Sequence, residues 1–227
     1  MRVNGLFNIV NYAFRMNSHA ILRSNDIMIP VLSKNVVLRE FTKQDAPHLF
    51  KVIDSNRERL REWLCWVDAT NSEENSLSFI LNSRQQRQEE TALILGIFQE
   101  ERLCGAVSFV SIDKSKKIAE LGYWVARDFQ GKGITTSACL ALIDYGFNKL
   151  SLNEIYAKTL VENVKSLNVF KTLRLFCSDE GEEEQYHRGV IRKLYVTKGA
   201  MTKEHWEQLK DKRRFTESYD PIKSKTY

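Results

Sequence analysis

An α+β fold follows from three features of the chain: apolar residues at helical spacing through its first third, three consecutive strand-like runs between residues 91 and 125, and one strand–glycine turn–helix unit beginning at Ile118. The chain has 227 residues, 43% of them apolar and 28% charged. That is enough apolar material to bury a core, and it excludes wholesale disorder. The length suits one domain with extensions.

Each element has its own pattern. The apolar run Val36–Phe41 reads as a first strand. Thr42 follows as a helix N-cap, with Asp45 placed to answer it. Leu49, Phe50, Val52 and Ile53 form a helical face, and Leu60, Trp63 and Leu64 extend helical spacing toward Asp68. Ser72 with Glu73 and Glu74 opens another helix, whose apolar face is Leu77, Ile80 and Leu81. The period then changes. Strands over 91–99, 103–112 and 118–125, joined by polar turns, make an antiparallel meander. A helix begins after Gly133, with Ile134, Ala138, Ala141, Leu142 and Tyr145 at helical spacing. A strand over 155–160, a helix over 163–173, an acidic loop at Glu180–Glu184 and a last strand over 190–197 complete the domain. The expected divisions are an extension at 1–30, a domain at 31–200 and a polar tail at 201–227, helical over 203–210.

The formal charge is +5, but residues 1–30 and 201–227 carry +2 each, which leaves +1 for the centre. A nucleic-acid binder concentrates basic residues on its folded domain, so nucleic acid is not an expected partner. No window approaches 18 uninterrupted apolar residues, so no membrane-spanning helix is expected. Cys65, Cys104, Cys139 and Cys177 form no CxxC pair and do not cluster with histidines, so neither zinc nor another metal site is expected. Their apolar neighbours suit small buried hydrophobes in a reducing cytoplasm. Residues 1–25 carry Arg2, Arg15 and Arg23 and no acid, a composition that resembles an organellar transit peptide, but a non-core extension is the expected reading, with a translation start at Met28 as another.

The segment that carries chemistry is Tyr123-Trp124-Val125-Ala126-Arg127-Asp128-Phe129-Gln130-Gly131-Lys132-Gly133-Ile134-Thr135-Thr136. Glycines let backbone amides approach a phosphate closely, and the unpaired amides of a helix start favour an anion. The segment is neither a GxxxxGK[ST] loop nor a GxGxxG dinucleotide fingerprint.

With Leu38-Arg39-Glu40, Ala119-Glu120-Leu121-Gly122-Tyr123-Trp124-Val125, Phe129-Gln130-Gly131-Lys132-Gly133-Ile134, and Asn163, Ser166 and Val169, the chain resembles the GNAT superfamily of N-acetyltransferases over residues 34–198. Within it, the RimJ/RimL ribosomal-protein-serine acetyltransferases are most similar. The resemblance implies a mixed, mostly antiparallel sheet splayed after its fourth strand and flanked by helices, with acetyl-CoA in the split. By that likeness, backbone groups of Trp124, Val125 and Ala126 would hold the pantetheine arm. Amides of Gln130, Gly131, Lys132, Gly133, Ile134 and Thr135 would hold the pyrophosphate, and Asn163 would hydrogen-bond the cofactor.

The implied reaction moves acetyl to a primary amine, either the N-terminal α-amine of a protein or a small-molecule amine. A catalytically silent acyl-CoA-binding module is the third reading, and the likeness leaves a homodimer open. An ammonium must lose a proton before it attacks a thioester. Glu120 is the expected general base, with Glu184 or a water chain as substitutes. Many relatives place a Tyr on the helix after the fifth strand; this chain has none in 163–173, so Ser166 is the expected hydroxyl that helps the thiol leave. Structural alternatives stand beside these roles: Trp124, with Trp63 and Trp66, as packing aromatics, Lys132 as a solvated cation, and Ser166 as a local helix-start hydrogen bonder.

Overall fold

The computed structural model describes residues 27–31, 33, 35–187 and 190–218. Eight strands form one sheet: β1 (Met28–Pro30), β2 (Val36–Glu40), β3 (Leu93–Gln99), β4 (Arg102–Asp113), β5 (Ile118–Val125), β6 (Glu154–Leu160), β7 (Phe176–His187) and β8 (Val190–Thr202). Their spatial order is β1-β2-β3-β4-β5-β6-β8-β7. Every neighbouring pair is antiparallel except β5 and β6. The helices are α1 (Ala46–Asp54), α2 (Arg57–Leu60), α3 (Glu73–Gln88), α4 (Ile134–Asn148), α5 (Val164–Leu173) and α6 (Lys203–Ser218).

Two apolar layers enclose the sheet. On one face Ile134, Ala138, Cys139, Leu142, Ile143 and Phe147 of α4 pack against Leu121, Val125 and Ile155. On the other, Leu49 and Ile53 of α1 and Ile80 of α3 pack with Phe41, Phe98 and Ala106. Strand alternation sorts β5 between the layers. Ala119, Leu121 and Val125 enter the α4 layer, while Trp124 borders the α1–α3 layer.

The helix starts are fastened as their residue types require. The Asp45 carboxylate accepts from the Thr42 amide at 2.7 Å and from its hydroxyl at 2.9 Å, and it is gripped bidentately by Arg39 at 2.8 and 2.9 Å. Ser72 caps α3 by accepting from the Asn75 amide at 3.3 Å.

Three expectations need correction. Glu180–Glu184 lies within strand β7 rather than in a loop, paired to β8 through Glu182↔Tyr195 and Glu184↔Lys193. An edge strand keeps one side in water and so tolerates charges that a central strand would exclude. Met28–Pro30 is strand, paired antiparallel to β2, rather than extension. The last strand runs on to Thr202, and Trp206 and Leu209 of α6 are buried in the α4-side core, so the segment after residue 200 packs on the domain. Residues 1–26 and 219–227 lie outside the described residues. Among the described residues no helix is long and apolar enough to cross a membrane.

Candidate active site

The sheet opens between β5 and β6. β5 pairs with β4 along its whole length, from Ile118 to Val125, but with β6 only through Ile118↔Glu154, Ala119↔Ile155 and Glu120↔Tyr156. Beyond Glu120 the two parallel strands part, and β6 continues paired to β8 alone. The chain reaches β6 through α4, as a parallel crossover requires. One edge of β5 therefore faces a slot inside the sheet rather than a neighbour.

The Ala126 amide donates to the Cys104 carbonyl at 2.7 Å, which marks the side of the strand that faces β4. Successive residues of a strand point their polar groups to opposite edges, so Trp124 and Gly122 also face β4, whereas Tyr123 and Val125 face the slot. The Ala126 carbonyl accepts from the Phe129 amide at 3.0 Å, so both of its backbone groups are taken. Of the three residues expected to hold a pantetheine arm by their backbone, Val125 alone faces the split. Tyr123, which the resemblance did not name for this role, is its slot-facing partner. The Trp124 ring sits 6.1 Å from that of Trp66, at the border of the second core.

At the end of β5 a 3-10 turn, Arg127–Phe129, buries Phe129 and delivers the chain to Gln130. Gly131 and Gly133 have φ of +71° and +73°, and a Cβ on either would meet nothing within 4 Å. The glycines are therefore required by backbone conformation, and the space above them is open. Gly133 is the N-cap of α4 and supplies no side-chain bond, so no side chain caps the amides at the start of this 15-residue helix.

α5 closes the other side. Asn163 caps it by accepting from the Ser166 amide at 3.2 Å, so its Oδ1 already serves the helix. Lys165 Nζ donates to Gln130 Oε1 at 3.1 Å, and the hydroxyl of half-buried Tyr123 donates to the Ser166 carbonyl at 3.5 Å. These contacts bring the glycine turn, the open edge of β5 and the start of α5 together. The Ser166 hydroxyl itself has no hydrogen-bond partner among the described residues, and the residue is half-buried.

Glu120 occupies the last shared step before the split. Tyr156 donates its hydroxyl to Glu120 Oε2 at 3.3 Å. Burial, and then the neighbouring Glu120, hold the Tyr156 phenol above its ordinary pKa, so it remains a donor at neutral pH. On the same face a cleft of about 310 Å³ is lined by Ser111, Tyr156, Lys158 and Glu180, among others. Lys158 pairs with Glu183 at 2.6 Å; that hydrogen bond, together with Glu180 and Glu120 nearby, keeps its ammonium above the usual lysine range. Tyr156 and Lys158 escaped the sequence reading because their relation to Glu120 depends on a parallel register. Glu184, the substitute base, is exposed on edge strand β7.

A mixed sheet parted beside a strand–glycine turn–helix unit is the architecture of an acyltransferase that binds a long thioester in the gap. The family described as acetyltransferase (GNAT) domain matches residues 35–175, and the chain belongs to that family. YdaF of Bacillus subtilis (strain 168), provisionally named a ribosomal N-acetyltransferase, is 29% identical over 78% of this chain and 96% of its own length. The ribosomal-protein-serine acetyltransferase of Escherichia coli (strain K12) is 30% identical over 61% of this chain and 77% of its own. Among solved structures, RimL, a ribosomal L7/L12 alpha-N-protein acetyltransferase in complex with coenzyme A, superposes with a TM-score of 0.72 at 25% identity. That match covers 79% of this chain and 99% of RimL.

Proposed function

We propose that this acetyltransferase moves acetyl from acetyl-CoA to the N-terminal α-amine of a protein, a ribosomal protein by analogy with its relatives, in the cytoplasm. One observation carries the acetyl-CoA part of the reading: the β5–β6 split opens immediately after Glu120, and the same strand runs on into a glycine turn with no side-chain cap; the acceptor class rests on the likeness to the relatives. The residues fit the co-substrate. The positive-φ cradle at Gly131 and Gly133 is open, with Gln130, Lys132, Ile134 and Thr135 around it, and suits a diphosphate. The edge of Tyr123 and Val125 suits an amide-bearing arm laid alongside it as an added strand. When bound, acetyl-CoA supplies an activated acyl thioester.

The chain's own groups do the rest. Glu120 takes a proton from the acceptor ammonium, directly or through water, and Tyr156 holds the carboxylate toward the split. Ser166, with its hydroxyl uncommitted, donates to the departing sulfur. Cys104 and Cys139 are buried as expected, whereas Cys65 and Cys177 are exposed, against the expectation that all four are buried hydrophobes. Residues 31–200 are the proposed catalytic domain, with β1 and α6 as packed flanks.

The test offers acetyl-CoA with three acceptors: a peptide with a free N-terminus, the same peptide blocked at the α-amine but bearing lysine, and a polyamine. Free thiol and peptide mass are the readouts. Acetylation of the unblocked peptide alone supports the reading. Preference for the polyamine replaces the acceptor class, and thiol release with none of them leaves the protein-amine assignment without support.

A further inference from the structure

From the geometry we infer that Arg59, on the short helix α2, is an anion ligand at the mouth of the split, and that it binds the cofactor phosphate next to the pantetheine arm. This rests on the acetyl-CoA reading above, and it adds a side-chain contact, held at the end of β5, to those of the glycine turn.

Arg59 Nη2 donates to the Val125 carbonyl at 2.7 Å, the carbonyl that points into the slot rather than toward β4. The same Nη2 lies 3.3 Å from Asn56 Oδ1, which also accepts from the Arg127 amide at 2.8 Å. The guanidinium is thus held where the chain leaves β5 for the glycine turn. Its Nε is buried without any hydrogen-bond partner, and no carboxylate lies within ion-pair distance among the described residues. Desolvation first, and then repulsion from a second cation, Arg127, makes the charged form less favourable than for a free arginine.

A half-buried guanidinium with a buried, unpartnered Nε, beside another cation and facing only neutral oxygens, is electrostatically incomplete. Among the described residues four other arginines close on carboxylates: Arg39 on Asp45, Arg57 on Asp54, Arg61 on Asp68 and Arg87 on Glu40. Around the turn they do not. Arg102 and Lys132 lie over the Phe129 ring at 5.2 and 5.6 Å, and Lys165 reaches only Gln130. Arg59 is the inner member of this collar, placed between the slot-facing edge of β5 and the glycine cradle. A ligand whose arm runs along β5 and whose diphosphate sits on the turn brings a phosphate oxygen between them. The fork geometry of arginine can donate to that oxygen while keeping the Val125 bond.

Binding is measured by calorimetry with CoA, with pantetheine and with inorganic pyrophosphate, for the wild type, Arg59→Gln and Arg59→Lys. Gln keeps a donor for the Val125 carbonyl and removes the charge; Lys keeps the charge. We expect Arg59→Gln to weaken CoA about tenfold or more and to flatten the salt dependence of its affinity. Pantetheine binding should be unchanged, and Arg59→Lys should stay closer to wild type for CoA. Equal weakening of CoA and pantetheine would make Arg59 a prop for the strand end and overturn the proposal, as would unchanged CoA affinity and salt slope in Arg59→Gln. If Arg59→Gln does not fold, Arg59→Lys decides: CoA loss of the same size as pantetheine loss overturns the proposal, and retention of both with a preserved salt slope supports it. A wild-type protein that binds no CoA fails the acetyl-CoA reading itself, a result separate from any effect of residue 59.

Discussion

Tyr156 donates to Glu120 Oε2 at 3.3 Å across the final register step that β5 and β6 share. One residue later along either strand, the partner is gone. The carboxylate therefore stands where the sheet changes from a closed surface to an open slot, and Tyr156 fixes its direction from the far wall.

Glu120→Gln keeps the shape and removes the proton acceptor. We expect kcat at neutral pH to fall about a hundredfold. The deficit should shrink above roughly pH 8, where a peptide α-amine is already deprotonated and needs no base. A pH–rate series on both proteins checks this; a deficit of constant size across the range would assign the proton transfer elsewhere. Tyr156→Phe should give a smaller loss in kcat, with acetyl-CoA affinity retained.

Gly133 separates backbone conformation from ligand charge. Its φ of +73° disfavours any side chain, yet a Cβ there meets nothing. Gly133→Ala should therefore cost about 1 kcal/mol of stability and fold normally. Gly133→Asp should fold comparably, because Asp tolerates this conformation better than most residues, yet bind CoA at least tenfold more weakly by repelling the diphosphate. Thermal melts and calorimetry on the pair distinguish the two effects, and equal CoA affinity in both variants would remove the phosphate from this turn.

The Arg39–Asp45 pair predicts how stability responds to acid. Burial pushes the Asp45 carboxyl up, but hydrogen bonds and charge from Arg39 and two bonds from Thr42 outweigh it, so its folded-state pKa lies below the ordinary carboxylate value. The stabilisation is fully present above that ordinary value, near 3.8, and is lost as pH falls through the depressed one. Asp45→Asn should lower stability at pH 7 by roughly 2–3 kcal/mol. Its stability should also fall less steeply than wild type below about pH 4. Denaturant melts at pH 3, 5 and 7 test both; parallel curves would show that the pair adds no linkage.

Local chemistry carried the elements well and the site only in part. β5 falls at Ile118–Val125 as expected, because a half-buried strand bounded by a lysine turn and a glycine turn writes its limits in residue type. Ser72, Thr42 and Gly133 announced helix starts for the same reason. The acidic run 180–184 was misassigned because edge pairing to β8 is made by backbone, which leaves no mark in side-chain composition. Tyr156 and Arg59 lay beyond reach for another reason. Each meets β5 through tertiary geometry, the one by a parallel register set by the α4 crossover, the other by a helix laid over the strand end.

Ser166 and Asn163 lie three residues apart in sequence and differ in role. Asn163 Oδ1 accepts from the Ser166 amide, so Asn163→Ala should destabilise α5 by about 1 kcal/mol through loss of the cap. The Ser166 hydroxyl makes no bond within the described residues, and its removal should leave the melting temperature almost unchanged. If that hydroxyl donates to the departing sulfur, Ser166→Ala lowers kcat about tenfold or more while acetyl-CoA affinity stays within about twofold, because the bond strengthens only as charge develops on the thiolate. A more activated leaving group provides the internal control: an acetyl thioester of lower thiol pKa should narrow the gap between wild type and Ser166→Ala, since less help is needed at departure. Steady-state kinetics with two thioesters, together with calorimetry for CoA, measures all three quantities. Loss of CoA affinity with kcat preserved would make Ser166 a binding residue, and a gap that does not narrow would place the leaving-group donor elsewhere, with the Tyr123 hydroxyl the next to test.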